Sequence, residues 1–206
     1  HTTILNGRIA RQANINDEVG YQIKLSGPIG INHTASINIA KASQHQSWIQ
    51  NDDYEWETEK EITYMPSSNT FAIPYNELFI NFDGNFFNHK LFYDIGWGTM
   101  NDVQYLFVNQ NRSNGYFRVH EFLKSQTIPL SLTYAINNKY SFEFKYEYQE
   151  LKQGSLRETN DGDSFMSVAF RPWRYNNVFS LGIASSPKWS ITYLQDNTSV
   201  DEKSFK

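Results

Sequence analysis

A period of two runs through this chain and limits what it can fold into. In Lys90-Leu91-Phe92-Tyr93-Asp94-Ile95-Gly96-Trp97, alternate positions Leu91, Tyr93, Ile95 and Trp97 are large and apolar. In Ile128 to Ile136, the positions Ile128, Leu130, Leu132, Tyr134 and Ile136 form one set. Pro129, Ser131, Thr133 and Ala135 form the other. Tyr140 to Tyr148 alternates aromatic with polar or charged residues throughout. Successive side chains of a strand point to opposite faces, so this spacing specifies strands with one greasy and one wet face. The greasy face is unusually aromatic, and the wet face carries Glu143, Lys145 and Glu147 in mid-strand. Such strands suit a sheet with lipid on one side and water on the other. The expected fold is therefore all-β: an antiparallel, meandering transmembrane β-barrel, or part of a larger one.

Composition is consistent with that expectation. Aromatic residues make up 16% of the 206 residues, yet the mean hydropathy is −0.60. A helical membrane protein would be far more apolar, whereas a barrel turns half of each spanning strand toward a polar interior. No run of about 18 apolar residues occurs, so no membrane-spanning helix is expected. A net charge of −4 argues against a nucleic-acid partner, which would select a basic face. There is no cysteine, hence no disulfide or thiolate site. The chain opens at His1 without an apolar leader, as expected of a processed chain or a fragment.

About twelve strands are predicted, near 3–12, 18–27, 33–43, 75–83, 89–98, 102–109, 116–122, 127–136, 140–152, 163–172, 177–185 and 188–195. Several approach the nine or ten residues that a tilted strand needs to cross a bilayer. Short turns are expected at Gly27–Gly30, Asn137–Lys139, Arg174–Asn177 and Ser185–Lys188, where Gly, Asn and Pro supply turn geometry. Long polar loops are expected near 44–71 and 152–163. Short turns at one rim and long loops at the other match an outer-membrane barrel. Glu55, Glu57, Glu59 and Glu61 alternate with Trp56, Thr58, Lys60, Ile62 and Tyr64, which predicts an extended, solvated segment inside the first loop.

The alternation assigns roles. The lipid-facing set is Leu91, Tyr93, Ile95, Leu130, Leu132, Tyr134, Phe142, Phe144, Tyr146, Phe179, Leu181, Ile183, Ile191 and Tyr193. Trp97, Tyr148, Trp173 and Trp189 are expected at the membrane–water interface, where amphipathic rings settle. Asp83, Asp94, Glu143, Lys145 and Glu147 are expected to face the lumen. The five histidines, His1, His33, His45, His89 and His120, include no short-spaced ligand pair. The carboxylates at Glu158 to Asp163 lack the twelve-residue calcium-loop pattern. Asn32-His33-Thr34, Asn111-Arg112-Ser113 and Asn197-Thr198-Ser199 match a glycosylation acceptor pattern that is common by chance. No nucleophile elbow, phosphate loop or dinucleotide fingerprint is present. No cofactor, metal or catalytic residue is therefore assigned. Two rival readings exist. One is a secreted carbohydrate-binding jelly roll or sandwich using Trp97 and Trp189. The other is a copper-dependent polysaccharide oxygenase using His1, whose companion motifs are not visible.

The stretch from Tyr75 to Thr198 resembles a family of uncharacterised outer-membrane β-barrel proteins of Bacteroidota. The resemblance lies in the order Tyr75-Asn76-Glu77-Leu78-Phe79, then Lys90 to Gly96, then Ile128-Pro129-Leu130 with Tyr134. It continues with Ser141 to Gln149, a long polar loop, and the turn Ser185-Ser186-Pro187-Lys188-Trp189. It implies a non-enzymatic barrel of the bacterial outer membrane, in contact with lipid and with other envelope proteins. The expected role is structural, scaffolding or transport within an envelope complex. In that family the matching stretch lies late in a longer barrel. Here the chain is strand-like from the start and ends in the charged tail Asp201 to Lys206. Unpaired backbone is very costly in lipid. Either the first and last strands close on each other, or the chain is part of something longer.

Overall fold

The computed structural model describes residues 18–45, 47–50, 56–59, 64–111, 115–158, 165–170, 172–185 and 189–198. The strand predicted near 3–12, His1, and the carboxylates of 159–163 lie outside them. The strands are β1 (Glu18–Pro28), β2 (His33–Gln44), β3 (Ser47–Gln50), β4 (Trp56–Glu59), β5 (Tyr75–Phe86) and β6 (Leu91–Asn111). They continue with β7 (Gly115–Ala135), β8 (Tyr140–Glu158), β9 (Phe165–Phe170), β10 (Arg174–Ser185) and β11 (Trp189–Asn197). One short 3-10 turn, Thr70–Ala72, precedes β5.

The main sheet is a nine-stranded antiparallel meander in the order β1-β2-β5-β6-β7-β8-β10-β11, with β9 added beside the far end of β8. The small hairpin β3–β4 lies within the long connection from β2 to β5. The first and last strands of the meander are not paired with each other. The all-β, antiparallel, meandering fold is therefore as the alternation predicted, but the sheet is open, not a closed barrel.

Two predicted breaks vanish. Residues 89–98 and 102–109 belong to one strand of 21 residues, and so do 116–122 and 127–136. Gly96 and Gly98, inside the predicted strand 89–98, lie in mid-strand beneath the ring of Phe79. A Cβ on Gly96 would come within 2.5 Å of that ring, and one on Gly98 within 2.7 Å. Glycine is required there because an aromatic from the neighbouring strand occupies the side-chain space. The predicted turn Arg174–Asn177 is likewise the start of β10, where Asn176 faces inward and is buried.

The remaining turns have local causes. Phe87, Asn88 and His89 all have positive φ, and the Lys90 amide donates to the Phe87 carbonyl at 3.2 Å, which closes a four-residue turn between Phe86 and Leu91. The Asn137 side chain accepts from the Lys139 and Tyr140 amides at 2.8 and 2.9 Å, closing the β7–β8 turn. The connections β1–β2, β5–β6, β7–β8 and β10–β11 share one rim and are all short. The connections β2–β5, β6–β7 and β8–β10 share the other rim. There the strands β6, β7 and β8 run far past their neighbours.

Candidate membrane-facing surface and polar interior

Cross-strand register decides which side chains share a face. One complete row of pairs reads Gly27, Ala35, Phe82, Ile95, Leu130, Tyr146, Phe179, Gln195. Rows two residues away on the same face join Ile37 to Ile80, Tyr93 to Leu132 and Phe144, and Leu181 to Tyr193. All fourteen residues predicted to face lipid fall on this face. The register also adds Ile23 and Leu25 of β1 to it, and Ile37, Ile39, Leu78 and Ile80 of β2 and β5.

The result is one apolar band across all eight strands of the meander. Ile23, Leu25, Phe82, Ile95, Ile183, Ile191 and Tyr193 are each more than a third exposed, up to 71% at Ile191. Aromatic contacts tie neighbouring strands together along it. Phe144 meets Phe179 edge-on at 5.7 Å, and Phe179 meets Tyr193 at 6.4 Å. Among the described residues nothing forms a second layer over this face. From Leu91 to Trp97 the band measures roughly 20 Å along the strand. Beyond it, the same outward positions turn polar at Thr99, Gln126, Glu150 and Asn177. Monomeric soluble proteins rarely expose contiguous apolar surface of this extent.

The four predicted interface aromatics sit at the borders of the band. Trp189 opens β11 at the short-turn rim, near Tyr140 at 6.5 Å. Trp97 and Tyr148 lie on the same face toward the long-loop rim, and Trp173 lies just before β10. Lys152 approaches the Trp173 ring at 5.6 Å, and Tyr148 stacks on Tyr175 at 6.4 Å. At the short-turn rim, Phe86 stacks on Tyr93 at 5.2 Å, and the Tyr93 hydroxyl lies 3.0 Å from His33 Nδ1. Trp97 and Trp189 are on strands separated by β7, β8 and β10, so they do not form one stacking platform.

The opposite face is polar, and on the six strands from β2 to β10 it is largely buried. The described elements meet substantially only their ladder neighbours, so the burial of this face arises within the sheet itself. Thr127, Gln149 and Asn176 lie side by side on three strands. Asn176 Nδ2 donates to Gln149 Oε1 at 3.2 Å, and Gln149 Nε2 reaches Thr127 Oγ1 at 3.4 Å. Ser125 and Asp102 are 1% exposed, and Gln104 Nε2 donates to Asp102 Oδ2 at 2.6 Å. Most buried polar groups in folded proteins are hydrogen-bonded, and these ladders supply such partners in the interior. Met100, Leu123 and Leu151 form a small apolar cluster among them, against Tyr75. Gln149→Leu is expected to destabilise the fold by about 1–3 kcal/mol, because the Asn176 amide loses a buried acceptor. Chemical denaturation of the folded protein measures this, and an unchanged midpoint would contradict a structural role for the ladder.

All five predicted lumen residues lie on this inner face. Asp83 stands directly opposite Asp94, Asp94 opposite Ser131, and Ser131 opposite Lys145. Lys145 Nζ pairs with Glu143 Oε1 at 2.8 Å, and Glu147 is buried deeper. Near the short-turn rim these strands leave a cleft of about 610 Å³, lined by Thr34, Asp83, Asn85, Asp94, Ser131 and Thr133 among others. Among the described residues no group of three or more metal-ligating side chains converges. Sequence reasoning found the faces but not the Thr127–Gln149–Asn176 ladder, the seat of Phe79 or the cleft. Each depends on the register between strands. Comparison with family models, with curated proteins and with solved structures gave no match.

Proposed function

We propose that this chain forms the wall of a β-barrel in a bacterial outer membrane, of the kind the Bacteroidota resemblance implies. Its partners are membrane lipid on the apolar face and other envelope proteins at the rims, and its role is structural or scaffolding within an envelope complex, not enzymatic. The observation that carries this reading is the apolar band, in register and exposed across eight strands, backed by a buried polar face. A water-soluble sheet with this alternation would bury its apolar face and wet its polar one. Here the preference is inverted, as a bilayer requires. Of the roles open to such a wall, the packed interior favours a scaffold over a wide aqueous channel, since Phe79, Met100, Thr127 and Gln149 fill the space behind the sheet. Barrels of eight strands have room inside for side chains or one small ligand, not for a wide aqueous channel.

The test is fractionation of the untagged protein between buffer and detergent, with gel migration compared before and after boiling. Extraction by detergent alone, with a folded form that migrates differently until boiled, is the expected result. A freely soluble protein with a single heat-independent band would overturn the proposal.

A further inference from the structure

Among the described strands, β1 and β11 each pair on one side only, and β11 and most of β1 are exposed. We infer that β1 and β11 are each other's partners, and that they close the eight-strand path with a fixed stagger that places Ile191 beside Tyr21. The inference rests on the membrane reading above, because lipid penalises an open edge that water tolerates.

Three features select this pairing. The path from β1 to β11 has an even number of strands, so its ends run antiparallel and can pair like every other neighbour. Their faces match: Ile23 and Tyr21 point outward on β1, and Ile191 and Tyr193 point outward on β11. The register then limits the stagger. One row of pairs runs Pro28, Thr34, Asp83, Asp94, Ser131, Lys145, Ser180, Leu194. Closure returns Leu194 to β1, displaced along the strand. About ten residues over eight strands, at ~3.3 Å per residue and ~4.8 Å per strand, gives a tilt of roughly 40°. Barrels of this kind tilt by about 35–45°. Displacement one way puts Leu194 opposite Glu18, the first described residue of β1. Displacement the other way overshoots β1 into β2, which is already paired on both sides. With Leu194 at Glu18, Ile191 meets Tyr21, Tyr193 meets Val19 and Trp189 meets Ile23. Outward apolar positions stay outward, and Thr192 faces Gly20 inside.

The chain has no cysteine, so introduced pairs report without background. Directly opposed strand residues lie about 4.5–5.5 Å apart at Cα, within disulfide reach, while diagonal ones do not. Ile191→Cys is combined in turn with Val19→Cys, Tyr21→Cys, Ile23→Cys and Leu25→Cys in the full chain, then mildly oxidised in its native membrane fraction. A cross-link within one chain that is strongest for Tyr21→Cys supports the proposed closure, and one strongest for Val19→Cys or Ile23→Cys overturns its stagger. A cross-link between two chains overturns it in favour of a barrel built from several copies. A cross-link only to Leu25→Cys, or none in protein that still shows the heat-dependent migration, also overturns it, since other strands must then lie between the edges. If the oxidised protein is freely soluble, the membrane reading fails on its own account, whichever cross-link forms.

Discussion

Leu132→Arg is expected to destabilise the protein in lipid vesicles by about 2–4 kcal/mol, the range for a cation facing lipid near the bilayer midplane. Leu132 lies between Tyr93 on β6 and Phe144 on β8, inside the apolar band on every side. Arginine there must either leave its charge in hydrocarbon or bend its stem toward an interface, and both cost free energy. Gln126→Arg is the matched control. It lies on the same strand and face but outside the band, opposite Thr99 and Glu150. Near the interface the expected loss is at most about 1 kcal/mol. Urea titration of the folded protein in vesicles measures both. Equal losses at the two positions would mean that this face does not meet lipid.

The second large effect is expected at the Phe79 seat. Phe79 is 2% exposed and lies over Gly96 and Gly98 of the adjacent strand. Phe79→Ala should cost about 3–5 kcal/mol, as for other large-to-small changes at buried aromatics. Gly98→Ala should cost about 1–3 kcal/mol on its own, because the new methyl group meets the ring and the neighbours are already packed. In combination the two should be strongly non-additive. Once the ring is gone, a methyl on Gly98 occupies space that the ring had filled, and the added loss should fall to near zero or reverse sign. A double-mutant cycle decides the point. Additive losses would place the penalty in the glycine backbone and not in the ring contact.

These two sites also mark what the chain disclosed before its structure and what it did not. The lipid face was legible because it needs only the period of two, which each strand carries by itself. Leu91, Tyr93 and Ile95 declare their face without knowledge of their neighbours. Strand limits were legible only where the period stops. It stops falsely above the apolar band, where both faces become polar. Lys124 and Gln126 point outward there, while Ser125 and Thr127 point inward, so the strand continues after its alternation has gone. That is why β7 read as two strands, and why Asn176 read as a turn. The need for glycine at Gly96 and Gly98 was not legible for a related reason: its cause is Phe79, on another strand. The Thr127–Gln149–Asn176 ladder involves three strands, and none of its members is unusual within its own.

The order of the sheet carries a consequence for how the fold is reached. With one exception, each strand of the main path pairs with the one that follows it across a short connection, or with the next strand once β9 is set aside. Strand pairing is therefore mostly sequential, and pairing a strand with the next one costs less chain entropy than pairing distant ones. From β5 onward the chain can add one hairpin at a time, each new strand finding an edge already formed. The exception is β2 to β5, where β3, β4 and the segment ending at Pro74 intervene. Joining those two strands closes the longest loop on the path, and the β1–β2 hairpin attaches only through it. Along this path the meander is expected to assemble as a growing front of hairpins, with β2–β5 the slowest of its sequential junctions.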